Sequence, residues 1–104
     1  MEVRTDIFHA VADPHRRQLL DLLRTGEKPV GELVEHFDLT FAGISQHLKV
    51  LKNAGLVKTR RQGRFHYYRV KPGPLQDIHE WITPYEQYWK GRLKKLGQHL
   101  GEAE

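Results

Sequence analysis

The side chains best suited to binding chemistry lie in one stretch of the chain, from Leu39 to Gln76. That stretch has no acidic residue, so all thirteen Asp and Glu lie outside it. Its basic residues are Lys49, Lys52, Lys58, Arg60, Arg61, Arg64, Arg69 and Lys71. Charge of one sign over this length attracts a polyanion and repels itself when none is bound. The stretch therefore predicts a nucleic-acid interface, with a solvated charged surface as the alternative.

The composition excludes several other classes of function. The chain has 104 residues, and we expect a single domain over 1–104. It has no cysteine, no run approaching the ~20 apolar residues of a membrane span and no signal peptide, so we expect a cytoplasmic protein without membrane contact. It also lacks a glycine-rich phosphate loop and a nucleophile motif, and its seven histidines are scattered. We therefore expect neither an enzyme nor a bound cofactor.

Four helices are expected to position the first part of the basic stretch. Their predicted ranges are about 4–12, 14–25, 30–36 and 41–54. Asp13-Pro14 is an N-cap followed by proline in the first helical position. Thr40 is a suitable N-cap for the fourth helix, and Gly55 is placed for a left-handed cap at its end. The third and fourth helices, about 30–54, would form a helix-turn-helix.

The sequence then changes to the pattern of a β-hairpin. Residues 57–61 and 65–70 are rich in β-branched and aromatic types. Gln62-Gly63 lies between them, with a glycine where a tight turn needs a positive φ angle. The hairpin would be the wing, spanning about 57–70.

Helical periodicity returns over about 74–100, and these helices would serve dimerisation. A break is expected at Thr83, because Thr83 and Glu86 have the spacing of a capping box. The predicted fold is mainly α with a small β-hairpin (α+β). Its order, ααααββα with a C-terminal helical segment, is that of a winged helix-turn-helix.

The fourth helix is predicted to enter the major groove of DNA. Ile44, Leu48 and Leu51 recur at helical spacing and would form its buried stripe. The residues expected to contact DNA from this region are Thr40, Phe41, Ala42, Ser45, Gln46, Lys49 and Lys52. Gln46 can form two hydrogen bonds with adenine, and Ser45 can bond a base or a phosphate. An ordinary amphipathic helix with a solvated face is the alternative.

Three arginines surround the predicted hairpin tip, namely Arg60, Arg61 and Arg64. An arginine at such a tip can reach a neighbouring minor groove, whose negative potential attracts it. This contribution depends little on base sequence, so these residues would raise affinity more than specificity. For each of them, simple solvation is the alternative.

Three stretches of the chain carry a family signature. Residues 12–20 read ADPHRRQLL, residues 44–57 read ISQHLKVLKNAGLV, and Gly63-Arg64 is followed by YYRV at 67–70. These stretches resemble the opening helix, the recognition helix and the wing of the ArsR family of bacterial winged-helix repressors.

The resemblance implies a homodimeric repressor bound to double-stranded DNA at a two-fold symmetric operator. In that family pattern, Ser45 and Gln46 would read bases, while Lys49 and the wing arginines would hold the DNA backbone. Many family members hold a metal with a cysteine pair in the third helix, but residues 28–34, KPVGELV, contain no cysteine. The chain therefore resembles the cysteine-free, autorepressor-like branch, in which no effector is implied.

A second family metal site gives an alternative hypothesis. Some members bind zinc between antiparallel C-terminal helices through Asp-x-His and His-x-x-Glu pairs. This chain has the same ligand types at Asp77, His79, His99 and Glu102. Solvated polar residues are the expectation at these positions, and a metal-responsive repressor is the alternative.

An apolar stripe rich in aromatic residues predicts the dimer interface. The residues expected at the interface are Ile7, Phe8, Trp81, Ile82, Tyr85, Tyr88, Trp89, Leu93, Leu96 and Leu100. A lone protomer of this size has little left to cover such a stripe, so a second copy is the expected partner. The alternatives are packing on the same domain and a pocket for an apolar effector. A winged helix used as a protein-interaction module is the competing function.

Overall fold

The structure is a computed structural model and describes residues 6–91. The helices are α1 (Ile7–Ala12), α2 (Pro14–Leu23), α3 (Val30–Val34), α4 (Phe41–Asn53) and α5 (Gln76–Ile82). The strands are β1 (Lys28–Pro29), β2 (Val57–Gln62) and β3 (Phe65–Val70). Short 3-10 turns occupy Gly73–Leu75 and Thr83–Tyr85, and residues 86–91 are helical. The predicted winged helix-turn-helix, mainly α with a small sheet, is confirmed. The part of the predicted C-terminal helices beyond residue 91 lies outside the described residues.

Local sequence signals explain where α2 and α4 begin. A carboxylate oxygen of Asp13 accepts the backbone N–H of Arg16 at 3.1 Å, and Pro14 occupies the first helical position. At α4, the hydroxyl of Thr40 accepts the backbone N–H of Gly43 at 3.0 Å. A Cβ at Gly43 would lie 3.2 Å from that hydroxyl. The glycine inside α4 therefore leaves room for the cap that starts the helix.

The end of α4 is fixed by Gly55, as its sequence position predicts. Gly55 has a φ angle of +79°. Its N–H donates to the carbonyl of Lys52, and the N–H of Leu56 donates to the carbonyl of Leu51, both at 2.9 Å. These two bonds form a Schellman motif, which satisfies helix carbonyls that would otherwise lack partners. The chain is thereby directed from α4 straight into β2.

Within residues 6–91, one hydrophobic core holds the helices against the sheet. Its fully buried large side chains are Leu19, Leu23, Leu33, Ile44, Leu48, Leu51 and Leu56. The three from α4 are the stripe that helical spacing predicts. Burial of each leucine contributes about 1.5–3 kcal/mol relative to exposure. Because α4 supplies three of the seven, the core fixes which face α4 turns outward.

The sheet is antiparallel with the order β1-β3-β2, and it corrects two predictions. Lys28–Pro29 pairs with Tyr68 and Tyr67, so a strand that the predicted order omitted precedes α3. Gln62 pairs with Phe65, so the two-residue turn is Gly63-Arg64 rather than Gln62-Gly63. Gly63 has a φ angle of +61°, and glycine in the first central position is typical of a type II′ turn.

The break after α5 is real, but Thr83 does not cap the next helix. Thr83 has helical backbone angles and lies in a 3-10 turn. Its hydroxyl donates to the carbonyl of His79 at 2.5 Å. The predicted capping box is therefore wrong, because the hydroxyl satisfies the preceding helix end rather than the following one.

Candidate nucleic-acid interface

The outward face of α4 has the orientation that the sequence predicts. Phe41 is 58% exposed, and Gln46 and Lys49 are exposed on the face opposite the buried leucines. Thr40, Ala42 and Lys52 are also exposed, and Ser45 is half-buried. The exposed face of α4 therefore presents polar side chains and one aromatic ring that a binding partner can contact.

Strand β3 contributes to the surface beside this face Tyr68, which is not among the predicted DNA contacts. Ser45, Lys49 and Lys52 line a depression together with Tyr68. Burial raises the pKa of Tyr68, so its hydroxyl stays protonated at neutral pH and can donate a hydrogen bond. Tyr68 follows Tyr67 in a strand rich in aromatic residues, but only the folded chain places it in the same depression as Ser45.

A second cleft, between α4 and the wing, also contains acidic residues. Phe41 and Ser45 face Phe65 across it, and Glu32 and Glu35 of α3 line the same cleft. The stretch from Leu39 to Gln76 contains no acidic residue, but in the folded chain Glu32 and Glu35 lie next to its surface. Carboxylates repel phosphates, so this cleft, which Arg64 also lines, is less favourable to a DNA backbone than the depression that holds Lys49 and Lys52, which has no acidic residue in its lining.

The three wing arginines differ in their surroundings. Arg61 and Arg64 are exposed, and Arg64 lies in the turn itself. Arg60 instead pairs with Glu27, which precedes β1. Its Nη1 also donates to the side chain of Gln62 at 2.7 Å, and its guanidinium lies 4.7 Å from the ring centre of Tyr67. Arg60 is thus engaged within the wing, whereas Arg61 and Arg64 present their charge outward.

The pairing of Arg60 with Glu27 is charge-assisted. The hydrogen bonds from Arg60 lower the pKa of Glu27 below its usual value, and the same carboxylate raises the pKa of Arg60. Both groups therefore stay charged at neutral pH. The pair joins the loop before β1 to the edge strand β2 across β3.

The arginines of the ADPHRRQLL stretch serve the fold. The Nε of Arg16 donates to the carbonyl of Ala10 at 2.7 Å, and its Nη2 donates to the carbonyl of His9 at 3.0 Å. Arg17 donates through Nη1 to the carbonyls of Val11 and Ala12. The carbonyls at the end of α1 are satisfied in this way, which fixes the angle between α1 and α2.

Comparison with known proteins assigns the chain to a family. Residues 13–59 match the family model described as bacterial regulatory protein, arsR family. The transcriptional repressor SdpR of Bacillus subtilis (strain 168) is 40% identical over 77 residues, which are 74% of this chain and 86% of the relative.

The chain belongs to the ArsR family.

Other ArsR-family proteins show similar sequences and structures. The arsenical resistance operon repressor of Staphylococcus aureus is 38% identical over 72 residues, which are 69% of each chain. A crystal structure of a possible transcriptional regulator for arsenical resistance has a TM-score of 0.68 and 38% identity, and covers 91% of this chain and 94% of that one. The chain is accordingly a DNA-binding regulator of the ArsR family and not an enzyme.

In this ArsR-family protein an aromatic face is exposed where the sequence predicts a dimer interface. Phe8 of α1 contacts Trp81 of α5 edge-on, with ring centres 5.6 Å apart, and Trp81 is 57% exposed. Tyr85 and Tyr88 continue the row of rings, at centre distances of 5.8 and 6.4 Å. Trp89 is also exposed, while Ile7 and Ile82 are half-buried. The predicted members Leu93, Leu96 and Leu100 lie outside the described residues.

The predicted C-terminal metal ligands are only partly described. Asp77 and His79 lie exposed on α5, and His99 and Glu102 fall outside the described residues. Within residues 6–91, the side chains with metal-binding groups that come together are instead Asp13, His15 and His47. No helix in residues 6–91 is long and apolar enough to cross a membrane.

Proposed function

We propose that this ArsR-family protein is a homodimeric transcriptional repressor that binds a palindromic operator. The observation that carries the proposal is the exposure of Gln46 and Lys49 on the outward face of α4 and of Arg61 and Arg64 on the wing. A helix of this length fits the major groove, and a bidentate Gln can select adenine there. SdpR and the Staphylococcus aureus relative are both named as repressors, which supports the same direction of regulation.

The proposed role of each side chain in DNA binding follows from its surroundings. Gln46 and Ser45 read base edges, and Phe41 packs on a thymine methyl group. Lys49, Lys52, Arg61 and Arg64 neutralise phosphates, with Arg64 extended by the turn toward a flanking minor groove. Thr40 and Ala42 lie at the start of the helix, where a backbone approach to phosphate is closest. Arg60 instead stabilises the wing through its ion pair with Glu27.

The proposed dimer uses the aromatic face of α1 and α5. A two-fold axis would place the same rings of both copies against each other, as an isologous interface requires. A palindromic operator follows, since the half-sites must repeat the protein symmetry.

The test is selection of bound duplexes from a random pool by the purified full chain. We expect enrichment of an inverted repeat whose half-sites are about one helical turn apart. Transcription in vitro from a promoter that overlaps the enriched site should fall when protein is added. Absence of any enriched sequence would refute operator binding, and enrichment of a single half-site would refute the dimer arrangement.

A further inference from the structure

We propose that Asp13, His15 and His47 form a binding site for a divalent transition-metal ion such as zinc. One potential ligand atom from each residue lies within 4.8 Å of the other two. The Nδ1 of His15 is 3.7 Å from a carboxylate oxygen of Asp13, and the Nδ1 of His47 is 3.9 Å from the same oxygen. Two imidazoles and one carboxylate are a ligand set that suits zinc, nickel or cobalt.

The distances between the potential ligand atoms are close to those found around a coordinated ion. Ligand atoms about 2.1 Å from a tetrahedral zinc lie about 3.4 Å from each other. The two distances to Asp13 exceed this value by less than an ångström, a gap that small side-chain rotations can close. His15 packs edge-on against Phe37, with ring centres 6.0 Å apart, which limits the positions its ring can adopt. The ligand atoms of His15 and His47 lie within 4.8 Å of each other, so they approach by up to about 1.4 Å when an ion binds.

The three side chains are partly buried, which favours binding of an ion, and the site remains accessible from solvent. The side chain of His15 is 46% exposed, whereas those of Asp13 and His47 are 28% and 22% exposed. An ion could enter past His15 and lose water against the two more buried ligands. The ligands come from separate elements, since Asp13 and His15 lie at the start of α2 and His47 lies in the middle of α4.

Two existing interactions limit the affinity. Asp13 already accepts the backbone N–H of Arg16, but a carboxylate has further lone pairs for a metal. The Nη1 of Arg16 lies 3.3 Å from Nδ1 of His47 and must yield to an ion.

The loss of that contact leaves Arg16 largely satisfied. Its Nε and Nη2 keep the carbonyls of Ala10 and His9 as acceptors. Its positive charge still repels a second cation, which weakens binding of an ion at this site. An ion held here would tie the start of α2 to α4 one residue from Gln46, and would restrain the helix proposed to read bases.

The test uses cobalt(II) and zinc with the full, untagged chain. Visible absorbance of bound cobalt and calorimetry with zinc should give one ion per chain. His15→Ala should weaken binding at least about tenfold, since even outer-shell partners of metal sites have effects of that size. His15 is half-exposed, so this variant should fold, and circular dichroism checks that it does. His36→Ala, at another exposed histidine that belongs to neither candidate site, is the matched control and should bind as the original chain does, while His79→Ala tests the C-terminal residues.

Each other outcome overturns the proposal. An unchanged affinity in His15→Ala, or no stoichiometric uptake by the original chain, rules out a site at Asp13, His15 and His47. Loss of binding in His79→Ala with full binding in His15→Ala assigns the metal to the C-terminal residues instead. The readout is metal binding alone, so failure of operator binding and failure of this site are distinguishable.

Discussion

Arg60 and Glu27, 33 residues apart in sequence, form the most extensive ion pair in the described part of the chain. The Nε of Arg60 donates to both carboxylate oxygens of Glu27, at 2.9 and 3.0 Å, and its Nη2 donates to Oε1 as well. The charge of Arg60 is therefore paired within the chain, although its side chain is 49% exposed. The wing is held to the loop before β1 by the same contact, so this arginine serves the shape of the wing.

The first prediction concerns the pH dependence of stability through Glu27. Its pKa is lowered in the folded chain from an ordinary value of 4.5 by the hydrogen bonds of Arg60. A lowered folded pKa gives stability that is present above the unfolded pKa and lost as pH falls through the folded pKa. Glu27→Gln should therefore lower the melting temperature at neutral pH and leave it unchanged at a pH below the folded pKa.

The measurement is thermal unfolding followed by circular dichroism across that pH range. Glu35→Gln removes another exposed carboxylate near the wing and controls for the loss of charge alone. A difference between Glu27→Gln and the original chain that persists at low pH would show that the pair does not carry the effect.

The second prediction separates Arg60 from Arg64 on DNA. Arg64→Ala should reduce the log–log salt slope of binding by about 1.8, because a dimer loses two phosphate contacts at about 0.9 each. Arg60→Ala should leave the slope close to that of the original chain, since its charge is already paired with Glu27. Fluorescence anisotropy over a salt series measures both. Equal reductions in the two variants would mean that Arg60 releases Glu27 and contacts DNA.

The third prediction separates base reading from backbone contact on α4. Gln46→Ala should weaken binding to the selected operator by about 1–3 kcal/mol per half-site and leave binding to unrelated duplexes unchanged. Lys49→Ala, on the same exposed face, should weaken binding to both kinds of duplex. Competition titrations with the two duplexes give the comparison. If Gln46→Ala weakens both equally, Gln46 does not read a base.

The fourth prediction concerns the aromatic face. Trp81→Ala should weaken dimerisation by about 2 kcal/mol or more, because a tryptophan near the centre of an interface is a frequent hot spot. Sedimentation equilibrium measures the dissociation constant. Phe65→Ala removes an aromatic ring of similar exposure, 53% against 57%, from the wing and should leave the dimer intact. A dimer that is indifferent to Trp81→Ala would place the interface elsewhere.

Local patterns allowed the helices and their orientation to be predicted. The period of Ile44, Leu48 and Leu51 depends only on helix geometry, and each of the three is fully buried. The caps at Asp13 and Thr40 depend on side chains within three residues of the groups they satisfy. Such short-range relationships are visible in a sequence because no tertiary contact is needed to form them.

Relationships that depend on packing could not be predicted in the same way. The strand Lys28–Pro29 has two residues, too few to show a period of two, and exists because Tyr67 and Tyr68 pair with it. Glu32 and Glu35 lie outside the basic stretch in sequence, yet packing of α3 brings them to the cleft beside α4. The trio at His47 likewise joins residues that only the contact of α2 with α4 brings together.

The salt dependence of binding to the selected operator tests whether α4 and the wing contact the DNA backbone. If Lys49, Lys52, Arg61 and Arg64 of both copies neutralise about six to eight phosphates, log affinity should fall with log salt concentration at a slope of roughly −5 to −7. If the dimer binds DNA through this surface, the full chain should give a slope in that range. Binding that does not change with salt, or no binding at low salt, would show that this surface does not bind DNA.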